Sequence, residues 1–381
     1  MQLLNLIIYI SIFAVPLATI IPIKGTIVWY PQFLAFLLMG LLICSSYLSR
    51  FNKWIGIFLA YSALSYIFIC NSHPRALICT ITSFLGVALA YAVSKQKDTK
   101  PIYEYVGWVV LFQFLLVISQ CFNVDPLFSK IGHQGESDIV GFIGSHNQLG
   151  IYSAISALLV SPFLSILAII PLILSKTSSA VAGLLAGVLT LLWFRGFKKT
   201  FYAALLIGAI ICVPWIKFDG IGKEAASERI SLWGLSIQQV NKGVAVAQID
   251  ESTKRYYTAN PLFGYGIGSF IMVSPLTQKD IIVNSGSHRY ENAHNDLIQV
   301  LFEFGYIGLI LMLIIVSSVI NTFRLSIKTP AVIKSFSVLV VIAVCSMGVY
   351  VTHAPVSYFM MMLCLGLFYA EVSNANKSKI S

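Results

Sequence analysis

The sequence predicts an all-α, polytopic membrane protein of about 12 transmembrane helices with one large outer loop. Three observations carry this expectation. Of the 381 residues, 57% are hydrophobic and only 10% are charged, against about 25% charged in an ordinary soluble domain. The mean hydropathy is +0.84, and apolar stretches near the roughly 20 residues that cross a bilayer recur along the chain. The cations fall on alternate loops. A net charge of +10 in such a chain therefore concerns membrane orientation and does not suggest nucleic acid.

The spans are expected at 3–23, 27–48, 54–70, 76–94, 103–121, 147–163, 164–175, 179–194, 201–216, 296–320, 334–351 and 354–372. The first lacks a basic leader and a small-x-small cleavage site, so it is expected to stay as a helix. The pair 147–163 and 164–175 is divided by one turn signal, Ser161-Pro162. With the N-terminus inside, thirteen Lys or Arg fall on the inner loops and tail, and four (Lys24, Arg75, Lys130 and Lys176) on short outer loops. The positive-inside rule then puts both termini in the cytoplasm. Residues 1–140 form a set of N-terminal helices, and 141–381 hold the long loop and the chemistry-bearing motifs.

Residues 217–295 are too long for a plain connection and are expected to be functional. They keep Trp233, Phe263 and Phe270, which argues for a folded segment, and their charges nearly cancel. All six histidines (73, 133, 146, 288, 294 and 353) lie in or beside outer loops, which points to chemistry on that face. The seven cysteines fall in or at the edges of spans, with no CxxC or Cys/His spacing, so neither a disulfide framework nor a zinc site is expected.

Several soluble-enzyme signatures are missing. There is no G-x-x-x-x-G-K-[ST] loop for ATP. "GYGIGSF" (264–270) lacks the dinucleotide glycine spacing and is expected to be a tight turn. No Asp-x-Asp pair is present to hold a metal on a nucleotide diphosphate. A chain with one large outer loop and no nucleotide site is compatible with an already activated, lipid-linked substrate.

The stretch "YENAHNDLIQVLFEFGYIGLILML" (290–313) runs a polar cluster into an apolar helix. Asn295, Gln299 and Glu303 share one helix face. Glu303 would lie on the order of 10 Å into the bilayer, so the outer third of this span is expected to line a water-accessible cavity. Glu303 either orients a histidine or arginine or serves as a hydrogen-bond hub. Asn295 and Asp296 either cap the helix or meet substrate. Gly305 and Gly308 are expected to allow close helix packing. Arg229 opens an amphipathic stripe with Ile230, Trp233, Ile237 and Val240. An arginine at a helix N-terminus suits a phosphate site, or else a lipid headgroup.

Four segments, in order, resemble the bacterial O-antigen ligase and O-antigen polymerase superfamily. They are "GFIGSHNQLGIYSAI" (141–155), "SKTSSAVAGLLAGVL" (175–189), "ERISLWGLSIQQV" with "NPLFGYGIGSF" (within 228–270), and the 290–313 stretch. The second departs from the family pattern: its usual arginine is Ser179 here, with Lys176 nearby as the candidate substitute. The resemblance implies transfer of a glycan from an undecaprenyl diphosphate carrier to a hydroxyl at the periplasmic face of the inner membrane. The acceptor would be lipid A–core for a ligase, or a second carrier-linked glycan for a polymerase. No cofactor is implied, and a metal is optional. His294 is the candidate base and Glu303 its candidate partner. Arg229 and Arg289 are candidates for the diphosphate, with Lys176, Asn147 beside His146, and Asn295 as further substrate contacts. A flippase or transporter of lipid-linked glycans, and a non-catalytic scaffold, are the alternatives from other classes. A transporter would be expected to show internal repeats, and the chain shows none.

Overall fold

The computed structural model describes residues 2–17, 53–68, 74–124, 139–143, 145–206, 221–248, 254–258, 260–270, 273, 292–352 and 354–378. Its helices are α1 (Gln2–Leu17), α2 (Lys53–Phe68), α3 (Pro74–Ser94), α4 (Lys100–Cys121), α5 (His146–Leu159), α6 (Pro162–Leu174), α7 (Ser178–Phe194), α8 (Ile221–Lys242), α9 (Asp296–Leu325), α10 (Pro330–Cys345) and α11 (Pro355–Lys377). The expected span 27–48, and residues 207–216 of the expected span 201–216, lie outside the described residues. Within the long loop, β1 (Val244–Gln248) and β2 (Lys254–Thr258) pair antiparallel, Val244 opposite Thr258. The helical class holds apart from this hairpin, which the sequence reading did not anticipate.

Proline stands in the first turn of α4, α6, α10 and α11. Its missing N–H is unneeded there, and its fixed φ suits the helix start. Ser161-Pro162 does divide α5 from α6, and Val160 between them is extended. Lys334 Nζ donates to the Leu159 carbonyl at 2.6 Å and so caps the end of α5. α4, α9 and α11 are long and apolar enough to cross a membrane. α6, α7 and α10 are shorter apolar helices, as is Ile78–Ser94 within α3. One apolar core runs through α1, α3–α7, α10 and α11, joining Ile8, Leu89, Val106, Ile155, Val341 and Leu363.

Two expectations about span ends are corrected. α10 stops at Cys345 rather than 351, and residues 346–352 leave the helix. α9 is not one helix: Gly305 sits at φ 64, ψ −165 and breaks it. The break follows from length. α9 has 30 residues and α10 has 16, or about 45 Å against about 24 Å at 1.5 Å per residue. Yet both run between the same two levels, since Ser326–Thr329 join them at one end and Asp296 N–H meets the Ser346 carbonyl at the other. A straight α9 would not fit. Burial changes at the break as well. Val300, Leu301, Phe302 and Phe304 are buried before it, whereas Ile310, Leu313, Val316 and Ile320 are exposed after it.

The end of the bundle opposite residue 296 is tied by polar side chains. Glu371 accepts from Thr99 Oγ1 at 2.6 Å and from Tyr103 Oη at 3.1 Å, and Asn374 Nδ2 donates to the Gln96 and Lys97 carbonyls. Lys95, Lys97, Lys100, Lys334 and Lys377 lie at this end.

Candidate functional site

His294 has a left-handed backbone, φ 51. Histidine visits this region more readily than most residues, but such strain lasts only where the surroundings impose it. Here both flanks are pinned. Ala293 N–H donates to Gln299 Oε1 at 2.8 Å, and the Ala293 carbonyl accepts from Trp233 Nε1 at 2.7 Å. On the other side, Asn295 is the N-cap of α9. Its Oδ1 accepts from Leu297 and Ile298 N–H at 3.0 and 3.2 Å, satisfying donors that a helix start leaves open. Of the two roles the sequence left open for Asn295, capping or substrate contact, capping is the one these bonds show.

The segment 346–352 forms the opposite wall. The Ser346 carbonyl accepts from Asp296 N–H, that of Met347 from Asn295 Nδ2, that of Gly348 from Arg229 Nη1 at 3.1 Å, and that of Tyr350 from Gln148 Nε2 at 3.1 Å. Asp296, 1% exposed, takes up the far part of the segment. Its carboxylate accepts from Val351 N–H at 3.1 Å, from Thr352 N–H at 3.4 Å and from Thr352 Oγ1 at 2.7 Å. The Tyr350 ring meets the His294 imidazole edge to face, centroids 5.4 Å apart.

Arg229 and His294, 65 positions apart in sequence, thus share one site. Burial and the nearby Arg229 guanidinium push the His294 imidazole down to about 4. At neutral pH it is therefore an uncharged proton acceptor beside a fixed positive fork.

Glu303 is placed differently from the expected cavity wall. It and Gln299 are each 1% exposed, so this face is sealed rather than water-filled. Gln299 Nε2 donates to Glu303 Oε1 at 2.7 Å, and Gly268 N–H donates to Glu303 Oε2 at 2.9 Å. Glu303 is linked to the His294 backbone through Gln299 and Ala293. Gly264, Gly266 and Gly268 all have positive φ and form the expected turn. That turn docks on the broken helix by backbone bonds. Tyr265 and Gly266 N–H donate to the Phe302 and Glu303 carbonyls, and Tyr306 and Ile307 N–H donate to the Pro261 and Leu262 carbonyls. Tyr61 Oη, from α2, donates to the Phe304 carbonyl at 2.8 Å. The groups freed by the break are thus paired, as backbone away from water requires. The close approach at Gly305 is to this turn, not to a neighbouring helix.

The remaining candidates spread around the same end. Asn147 is partly buried in the first turn of α5, next to the Gln148 that holds Tyr350, and His146 is exposed beside it. Lys176 is exposed with φ 53, and the neighbouring Thr177 Oγ1 donates to the His146 carbonyl. Ser179 faces the segment: a Cβ on Gly348 would lie 2.8 Å from Ser179 Cβ. Arg289 and His288 lie outside the described residues. Among the described residues, no three His, Cys, Asp or Glu side chains gather as metal ligands would.

The reading of the sequence missed Gly348, Tyr350, Gln148 and the whole 346–352 segment. Gly348 and Pro355 were the available signals, since a glycine and a proline so close together argue against one helix through 351.

Residues 163–313 match the family model described as O-antigen ligase. The match spans the second, third and fourth motif segments and bears out the resemblance to the O-antigen ligase-like superfamily. Residues 141–155 and 346–352 lie outside it. No curated protein matches the chain.

Proposed function

We propose that this chain is a membrane glycosyltransferase of the O-antigen ligase type. It moves a glycan from an undecaprenyl-diphosphate carrier to a hydroxyl of lipid A–core at the periplasmic face of the inner membrane. The observation that carries the reading is the pairing of Arg229 and His294 on one segment, with an uncharged imidazole beside a guanidinium. The acceptor oxygen forms a bond to the anomeric carbon as the bond from that carbon to the carrier phosphate breaks. The diphosphate leaves with the electron pair, and the acceptor proton passes to His294. Arg229 holds the departing charge through its planar fork. Glu303 serves as a positioning residue, acting through Gln299. Asn147 and Lys176, on neighbouring turns, and Asn295 frame the substrate, and Arg289 is a second candidate for the diphosphate.

The deciding experiment gives the purified protein a carrier-linked glycan with and without lipid A–core. A single transfer that requires the core supports the ligase reading. A ladder of products without core means polymerase, and no transfer under either condition removes the enzyme reading.

Two expected results bear on its parts. Arg229→Lys should lose much of the activity, mainly as a raised requirement for donor, because a point charge does not replace a bidentate fork. A fully active Arg229→Ala enzyme would take this residue out of the site. For orientation, in a cysteine-free background, Asp250→Cys should react with an impermeant thiol reagent in intact spheroplasts. Lys97→Cys should react only after lysis. The opposite pattern would put the site on the cytoplasmic face.

A further inference from the structure

We propose that Tyr350 is a positioning residue for the His294 imidazole, and that Asp296 acts behind it by clamping the 346–352 segment that carries it. This rests on the transferase reading above and adds to it a component outside the stretch matched by the family model.

The segment is held from five sides by groups of different origin. Gln148 of α5 fixes the Tyr350 carbonyl, Asn295 and Asp296 fix residues 346, 347, 351 and 352, Arg229 of α8 bonds Gly348, and Ser179 of α7 abuts Gly348. The Tyr350 carbonyl and the next N–H, that of Val351, are both bonded, which fixes the point from which the ring reaches His294. That ring meets the His294 imidazole at an interplanar angle of 71°, the edge-to-face geometry that aromatic rings prefer. The His294 backbone is pinned by Gln299, Trp233 and Asn295, but rotation about the side-chain bonds has to be fixed by something else. Tyr350 supplies that contact. The same segment accepts the Arg229 guanidinium, so a single rigid piece registers the group that takes the proton against the group that takes the charge. A shift of about 1 Å between such groups costs on the order of 10²-fold in rate. That is reason for the segment to be fixed by a buried carboxylate.

The test measures transfer by purified protein in detergent, with a polyprenyl-diphosphate-linked oligosaccharide as donor and whichever acceptor the native chain uses. Tyr350→Ala should lower kcat by between about tenfold and about 10²-fold with donor KM unchanged. Tyr350→Phe, which keeps the ring, should stay within about threefold of native by the same geometric reasoning. Asp296→Asn should lower kcat and also raise donor KM, because it releases the Gly348 support of Arg229 as well. Tyr350→Ala in a His294→Ala background should cause no further loss, as for groups that act as a unit. Tyr350→Leu, at matched melting temperature, carries the test if the alanine variant does not fold. Losses that multiply in the double variant, or a Tyr350→Leu enzyme with native kcat, would overturn the proposal while leaving His294 as base. A His294→Ala enzyme with native turnover would place the base elsewhere and overturn the proposal with it, whereas no transfer by the native chain would overturn the transferase reading beneath it.

Discussion

His294→Ala is expected to cut turnover by about 10²–10⁴-fold at neutral pH, the usual size of a general-base contribution. Donor binding should change little, because the diphosphate is assigned to Arg229. The pH dependence is the sharper readout. Only the neutral imidazole accepts a proton, so activity is lost as pH falls through the pKa of His294. Burial and Arg229 hold that value down to about 4, well below the ordinary value of about 6.5. The acid limb of kcat/KM, which reports the free enzyme, should therefore lie near 4. A bound diphosphate brings negative charge beside Arg229 and offsets the repulsion that holds the imidazole down. The acid limb of kcat, which reports the complex, should lie higher. Such a shift also makes His294 a stronger base once the donor is in place. The His294→Ala enzyme should lack this limb, and its residual rate should rise with pH as hydroxide partly replaces the base. A variant within a few-fold of native at neutral pH would place the base elsewhere, with His146 and His288 next to test.

Much of the bundle was legible because apolar runs bounded by charges leave few choices of helix. The Ser161-Pro162 turn, the Asn295 cap and the glycine turn at 264–268 were readable for local reasons: fixed proline φ, short polar side chains, and glycine's tolerance of positive φ. The association of Arg229 with His294 was legible only through the ordered motifs, since nothing in either local sequence points to the other. What stayed hidden is non-local. Gly305 reads as a packing glycine in an apolar helix, yet its conformation is demanded by a turn about 40 positions earlier in the chain. Glu303 reads as a polar group that needs a wet cavity. Its partners turn out to be Gln299 and the Gly268 N–H, and with both oxygens bonded it can be sealed. The 346–352 segment was absorbed into a span because Val349, Tyr350 and Val351 are as apolar as the helix before them. The β1–β2 hairpin pairs two short stretches that carry no strong alternation of their own.

Gly305→Ala is expected to be among the most damaging single-methyl changes at the described residues. The backbone at φ 64, ψ −165 is a conformation nearly restricted to glycine, and holding another residue there costs about 1–3 kcal/mol. The added Cβ would also lie 2.5 Å from the Leu262 carbonyl carbon and oxygen and 2.6 Å from Gly264 N. These are backbone atoms with no rotamer to yield, so overpacking adds roughly 1–3 kcal/mol more. The chain could relieve the strain only by undocking the 260–268 turn, which leaves Tyr306 and Ile307 N–H without the Pro261 and Leu262 carbonyls. It could instead straighten α9, which its ties to the 16-residue α10 at both ends do not allow. Gly264→Ala should behave alike, since its Cβ would meet Glu303 O at 2.7 Å from the other side. Gly196→Ala is the control. Gly196 also has positive φ, 79, but a Cβ there meets nothing within 4 Å, so it isolates backbone strain from the clash. Melting temperatures in detergent should fall in the order Gly196→Ala least, Gly264→Ala and Gly305→Ala most, with faster proteolysis within 254–270 in the latter two. Transfer activity should fall with them, because Glu303 loses Gly268 and the line through Gln299 to the His294 backbone slackens. A Gly305→Ala protein that melts no lower than Gly196→Ala would mean that the turn is not docked on the break in solution. The link from Glu303 to His294 would then have no support.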